Sequence, residues 1–437
     1  MNDMPHRVQP PADTGSAEPD RSRPHRSGTF GVLDIGTTKI ACLIARVESD
    51  GEIRVLGCDW RQGLGVRGGS IVDLDKAERA IRACVGQAEN MADTRLRAVT
   101  VNLTCGQPDS HVHNVKWPLD ASAEGRPVLE SDVREVLREG RALSRSEGRE
   151  PVHVMPLTFS LDNTEHVVDP RGLYCSTLDA RLHVIDVSSS ALRSLEACLH
   201  RCDLDIEAII SAPMGAGLAT LVDDEREIGT TVIDMGGGTT NVACFFENQL
   251  IHTAQIRMGG VHVTSDLAKG LSTPLAHAER LKTLWGNVES SPDDERDMLP
   301  VPRVGEADHH LAKVPRSMVV SIIRPRIEET FEQIRDKLAA SGLGQATGNR
   351  IVLTGGACQL PGLPHLASQI LGHDVRIGRP SAIRGMPEIW TGPAFATVTG
   401  LLIWAAGEGG TFHDQGAVHG RRASWFHRLV DYIRERV

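Results

Sequence analysis

No apolar run in this 437-residue chain approaches the ~18 uninterrupted residues that a membrane-spanning helix needs. Its nine cysteines include no C-x-x-C pair, so neither a zinc site nor a disulfide framework is expected. Cys42, Cys244 and Cys358 fall inside apolar runs and read as core thiols, which suits a reducing cytoplasm. Positive charge is not in excess: a formal net charge of −10 argues against general nucleic-acid binding. Residues 1–27 hold almost nothing apolar. They carry Pro5, Pro10, Pro11, Pro19 and Pro24 among balanced charges, so they read as a disordered arm, and they lack the apolar core of a secretion signal. Beyond the arm, 40% apolar and 24% charged residues describe a soluble globular chain of about two to four domains.

What the chain does have is organised around G-T-T-V-I-D-M-G-G-G-T-T-N, Gly229 to Asn241. A short β-branched strand ends on Asp234; Gly236, Gly237 and Gly238 follow, then Thr239 and Thr240. Glycines let bare backbone N–H groups approach an anion, and threonine hydroxyls add donors for phosphate oxygens. The acid cannot bind phosphate, but it can hold Mg²⁺ through water, because that ion keeps most of its hydration shell. The plainer reading is a hairpin turn with an incidental acid. A second copy near the start, G-V-L-D-I-G-T-T-K, gives Asp34, Gly36, Thr37, Thr38 and Lys39, with the two aspartates 200 positions apart. A third apolar strand, I-V-L-T-G-G-A, runs into Gly355 and Gly356.

Between these motifs, strands alternate with helices, which predicts mixed or parallel sheets covered by helices. Strands are expected at Phe30–Asp34, Ile40–Val47 and Ile53–Asp59, with an amphipathic helix from Leu74 to Met91. The pattern changes at 97–161, where a charged helix, Ser131–Ser144, precedes the strand His153–Leu161. Ala276–Trp285 reads as a helix with Glu279 and Lys282 on one face, where a surface ion pair is the plain alternative. Residues 287–315 read as an exposed polar excursion; its His309-His310 pair lacks further ligands, so a solvated loop is expected there. A long helix spans Ser317–Ala340, with Pro325 marking a kink or a late start.

The tail has its own pattern. Ala405–Gly420 is glycine-rich without periodicity, a flexible tether. Ser424 can then cap a helix that gathers Trp425, Phe426, Leu429, Val430 and Ile433 on one side. Five arginines (421, 422, 428, 434, 436) against Asp431 and Glu435 give +3 locally. That is the pattern of a helix lying in a bilayer interface; packing back onto the protein is the alternative.

Two Asp-Gly-Thr hairpins and a late strand-Thr-Gly-Gly resemble the actin/sugar-kinase/heat-shock ATPase superfamily. From about Thr29 onward the chain resembles one branch, FtsA, the actin-like bacterial division proteins. The segments that carry this are V-T-S-D-L-A (263–268), A-E-R-L-K (278–282), T-G-G-A-C-Q-L-P-G (354–362), V-R-I-G-R-P (375–380) and H-V-M-P (153–156). The Pro-rich arm is not part of that pattern. The resemblance implies an α/β, actin-like (ribonuclease H-like) two-domain fold. Subdomain 1A would take 28–96 and 162–208, an inserted subdomain 1C 97–161, 2A 209–262 and 349–404, and 2B 263–348. A linker at 405–420 and a membrane helix at 421–437 would follow.

By the same resemblance, Gly36, Thr37, Thr38 and Lys39 form the first phosphate loop and Gly236 to Thr240 the second. Gly355 and Gly356 lie against adenosine, and Glu279 and Lys282 flank adenine and ribose. Asp34 and Asp234 place Mg²⁺ through water. Arg326 meets the C-terminal peptide of FtsZ, although a surface arginine without a partner would look the same. The implied function is an ATP-binding protein, with hydrolysis weak or absent, that polymerises at the division site on the cytoplasmic side of the inner membrane. It would tether FtsZ and recruit later division proteins. A sugar-kinase relative would need a substrate pocket and a base, of which there is no sequence sign. A heat-shock chaperone would need a peptide-binding domain that the residues after Gly356 are too few to form. A PilM-like pilus protein would lack the membrane tail.

Overall fold

The computed structural model describes residues 28–407, except 120–124, 163, 307–310 and 344–347. The expected N-terminal arm, most of the tether, the tail helix and His309-His310 lie outside the described residues.

The first half begins with three antiparallel strands, β1 (Thr29–Ile35), β2 (Lys39–Val47) and β3 (Ile53–Gln62). A two-residue ladder, β4 (Val66–Arg67) with β5 (Ser70–Ile71), leads into helix α1 (Leu74–Ala92). The Asp73 carboxylate caps α1 by accepting from the Lys76 N–H at 3.0 Å, and Ala77, Ile81, Cys84 and Ala88 bury its apolar face. Strand β6 (Ala98–Leu103) pairs parallel with β1.

An inserted subdomain follows: β7 (Asp109–Pro118), β8 (Arg126–Pro127), α2 (Glu130–Leu143), β9 (Arg149–Leu161), β10 (Thr164–Val167), β11 (Tyr174–Cys175) and β12 (Thr177–Ser188). Its main sheet runs β10-β9-β12-β7, over a separate core containing Val136, Phe159 and Leu182. This moves the boundary expected at 97–161, because β6 belongs to the first sheet and β12 to the inserted one. Periodicity distinguishes strands from helices but carries no record of which sheet a strand joins.

Helix α3 (Ser189–Arg201) and strand β13 (Asp205–Ser211) return the chain to the first half, completing the order β13-β6-β1-β2-β3. Helices α4 (Ala212–Thr220) and α5 (Asp223–Ile228) lead to the second half. There β14 (Thr230–Met235), β15 (Thr240–Phe246) and β16 (Gln249–Ile256) repeat the opening meander.

Helices α6 (Gly260–Gly270) and α7 (Leu275–Trp285), strands β17 (Met298–Pro302) and β18 (Leu311–Pro315), and the long helix α8 (Arg316–Ala340) stand over the second sheet. The stretch 287–315 is therefore not wholly an exposed excursion. Its β17–β18 hairpin buries Leu299 and Val301. Helix α8 continues through Pro325 without a late start; Ile323, Ile327 and Phe331, packed in the second-half core, hold both sides of the proline in place. Strand β19 (Arg350–Thr354), helix α9 (Leu363–Leu371), strand β20 (Asp374–Ile377) and helix α10 (Ala396–Ala405) close the fold.

The second sheet runs β16-β15-β14-β19-β20, strand for strand the order of the first. The registers correspond as well: Ile35 faces Ile40, and Met235 faces Thr240. A shared core holding Val32, Leu43, Val232, Phe245, Val398 and Leu401 joins the two halves around α4 and α10.

Candidate functional site: the cleft between two equivalent hairpins

Each hairpin turns the same way at the cleft. The Gly36 N–H donates to the Lys39 carbonyl at 2.8 Å, and the Gly236 N–H donates to the Thr239 carbonyl at 2.9 Å. Gly229–Asn241 is thus a strand running into a hairpin turn. The loops meet head on: a Cβ on Gly237 would stand 2.5 Å from Thr38 Oγ1, and one on Gly238 would overlap the Thr37 hydroxyl. Glycine is required there because the opposite loop occupies the side-chain space.

Asp34 and Asp234 stand one residue before the ends of their strands and line the cleft, each 7% exposed. Burial and the neighbouring Asp34 push the Asp234 carboxyl up to about 6, against the opposing pull of Lys39, Thr397 and Asn241. Thr397 of α10 donates to Asp234 Oδ2 at 3.3 Å. Lys39 Nζ lies 3.3 Å from Asp34 Oδ2, donates to the Ala394 carbonyl, and sits 4.4 Å from the centre of the Phe395 ring. A cation in the first loop therefore fastens onto the segment leading into α10. Asn102 of β6 accepts from the Ile35 N–H at 2.7 Å and fixes the strand end beneath the loop.

Two cavities lie in the cleft. A small one, about 120 Å³, is walled by Asp34, Gly36–Lys39, Asp234, Gly236–Thr239, Gly355, Gly356 and the residues beside them. A larger one, about 490 Å³, is walled by Thr240, Gly260, Glu279, Lys282, Ile327, Gln359 and Leu360. Thr38, Gly237 and Gly356 line both, so the two adjoin. Gly355 has φ +85°, and a Cβ there would strike Asp234 Oδ1, so the Thr-Gly-Gly turn packs on the second acid.

The structure brings together every phosphate-loop and adenosine-turn residue expected from the sequence. Glu279 and Lys282 are not an isolated surface pair: Lys282 Nζ bonds Glu279 Oε2 at 2.7 Å, Thr264 Oγ1 at 2.9 Å and the Gly260 carbonyl at 3.1 Å. Arg326 lines neither cavity, and it has partners. Its Nε and Nη2 reach the Asp266 carboxylate at 2.5 and 3.2 Å, and Nη1 reaches Glu329 at 2.5 Å. Trp425, Phe426, Leu429, Val430 and Ile433 are outside the described residues. Sequence reasoning missed Asn102, Asn241, Thr264 and Thr397; a lone amide within the apolar strand A-V-T-V-N-L was the available signal for Asn102.

Two like halves closing paired glycine-threonine hairpins over one cleft define an actin-like α/β protein. Among solved structures, a PilM-PilN type IV pilus biogenesis complex matches 86% of this chain and 98% of its own, with a TM-score of 0.61 at 16% identity. MreB5 of Spiroplasma citri bound to AMPPNP matches 87% and 96%, with a TM-score of 0.53 at 12% identity. The family model for cell division protein FtsA matches residues 231–400, and that for the SHS2 domain inserted in FtsA matches residues 106–186. The cell division protein FtsA of Agrobacterium fabrum is 41% identical over 429 residues, 94% of this chain and 95% of that protein. The chain belongs to the FtsA family, and its role is in cell division.

Proposed function

We propose that this chain binds ATP with Mg²⁺ in the cleft and polymerises on the cytoplasmic face of the membrane. There it tethers FtsZ filaments and gathers later division proteins. The observation that carries the reading is the pair of equivalent loops facing each other at two adjoining cavities. Gly36–Lys39 and Gly236–Thr240 would hold the phosphates, with Glu279, Lys282 and Gly356 beside the nucleoside. The site fits such a ligand: the bare backbones of Gly36, Gly236 and Gly237 line the small cavity, and the acids offer oxygen donors of the kind a hard cation takes, through its waters. Bound Mg²⁺ would neutralise phosphate charge; hydrolysis is expected to be weak, with ATP serving assembly.

The acidic C-terminal peptide of FtsZ would meet Arg326, drawing the guanidinium from Asp266. The tail pattern supports an interfacial membrane helix. A PilM-like pilus role or sugar-kinase chemistry is the alternative, and the 41% identity to a cell division protein favours the first reading. Thr38→Asp tests the nucleotide site, since Thr38 lines both cavities and Gly237 has no room for a side chain. A carboxylate ~4 Å from a phosphate costs roughly 4 kcal/mol at an effective dielectric of about 20, close to a thousandfold in affinity. Unchanged ATP affinity would move the site elsewhere. Electron microscopy of the protein on lipid monolayers, with and without ATP, tests the polymer.

A further inference from the structure

The inserted subdomain touches both halves through buried polar groups. On β12, His183 Nδ1 lies 2.8 Å from the Leu250 carbonyl of β16, and its Nε2 lies 2.7 Å from Ser110 Oγ of β7. Ser110 Oγ also accepts from the Thr253 N–H of β16 at 3.2 Å. A carbonyl only accepts, so Nδ1 carries the ring proton and Nε2 receives the Ser110 hydroxyl. One directed chain, Thr253 to Ser110 to His183 to Leu250, therefore begins and ends on the edge strand of the second sheet. On β9, His153 Nε2 accepts at 2.9 Å from the N–H of Ser211, the last residue of β13 in the first sheet. Both histidines are fully buried.

These contacts lie one step from the cleft. Ala212, next to Ser211, lines the small cavity. Gln255 Nε2 of β16 donates at 3.0 Å to both the Thr104 carbonyl and Asn241 Oδ1, and both of these residues line that cavity. Ser211 Oγ and Thr253 Oγ1 are buried without a hydrogen-bond partner among the described residues. A buried hydroxyl without a partner is disfavoured, so each is available to a rearranged contact.

We infer that the inserted subdomain is a lever seated across both halves by His153 and His183, and that closure of the cleft on its ligand changes its seat. Rotation of one half against the other cannot keep both fastenings as they are. Losing one strands a buried polar group, which favours two discrete seats over a gradual slide. The inference rests on the reading of the cleft as a nucleotide site.

Hydrogen–deuterium exchange on the full chain, with and without ATP-Mg²⁺, tests it, with nucleotide binding measured in parallel by calorimetry. The intact protein should change exchange at least twofold in β7 and β12 on binding. Ser110→Ala, which removes one hydroxyl and leaves the packing, should remove that response while nucleotide still binds at the same stoichiometry. His183→Asn should behave likewise. Nucleotide binding with no change in β7 and β12, or a full response in Ser110→Ala, would overturn the lever and leave the nucleotide reading intact. No binding at all would overturn both.

Discussion

Gly400 of α10 lies directly against Gly215 of α4: a methyl on Gly400 would overlap the Gly215 carbonyl oxygen. These two helices link the halves inside their shared core, and their backbones meet closely where they cross. Gly400→Ala forces the helices apart. The expected cost is about 3 kcal/mol, read as a lower denaturant midpoint. An unchanged midpoint would mean that the crossing yields freely.

Asp234 should limit the stability of the ligand-free protein. Its folded pKa of about 6 exceeds the unfolded 3.8. The group's stabilising contribution is complete below pH 3.8 and lost as pH rises through about 6. Asp234→Asn removes that dependence and should stabilise the ligand-free protein by about 3 kcal/mol at pH 8. Relative to wild type the gain should vanish near pH 4. Urea unfolding at the two pH values checks this; an equal shift at both would remove ionisation as the cause.

His183 should act in the opposite direction. Burial lowers its pKa from 6.5 to about 3, so its contribution is complete above pH 6.5 and lost as pH falls toward 3. Within that window each pH unit costs up to ~1.4 kcal/mol. His183→Asn cannot be protonated there and should flatten the acid limb of a stability-versus-pH curve. Parallel curves for variant and wild type would contradict it.

Arg326 must leave Asp266 to meet an acidic peptide. Arg326→Gln should weaken FtsZ-peptide binding about tenfold in fluorescence anisotropy, losing one charge-assisted contact. Asp266→Asn, which removes one of the two carboxylates that hold the guanidinium, should strengthen it. ATP affinity should stay constant in both. If neither variant alters peptide binding, the peptide docks elsewhere.

The tail can be tested without its structure. Five partly buried apolar side chains at ~1–1.5 kcal/mol each, and about 1 kcal/mol per net charge on anionic lipid, give roughly 10 kcal/mol before ordering costs. One tail should hold weakly, and a filament of many tails firmly. Trp425→Glu or deletion from Arg421 should leave ATP binding intact and abolish sedimentation with anionic liposomes. Cosedimentation at the intact level would end the membrane assignment.

The hairpins were readable from sequence because a strand, an acid and a Gly-Thr run, repeated 200 positions apart, have few other shared uses. Helix α4 was not readable: A-P-M-G-A-G-L-A-T is buried at every position, so it carries no amphipathic period. Prolines at both ends of β17–β18 hid that hairpin, because they read as loop. The partners of Lys39 and Arg326 were also hidden, lying 355 and 60 positions away at Ala394 and Asp266. Composition announces a loop's chemistry, whereas tertiary contacts decide what each side chain meets.

One edge of each sheet is covered crosswise. Ser110 and His183, inserted in the first half, cover β16 of the second, while the Val55 N–H of β3 donates at 2.8 Å to the carbonyl of Arg384, which follows β20. Each half thus carries the other's guard against strand-to-strand association. Severed near residue 222 and made separately, each fragment would present a bare strand to any passing chain. Despite its internal duplication, the molecule is not two self-sufficient pieces, and a protease nick that lets the halves drift apart would yield aggregate rather than two soluble products.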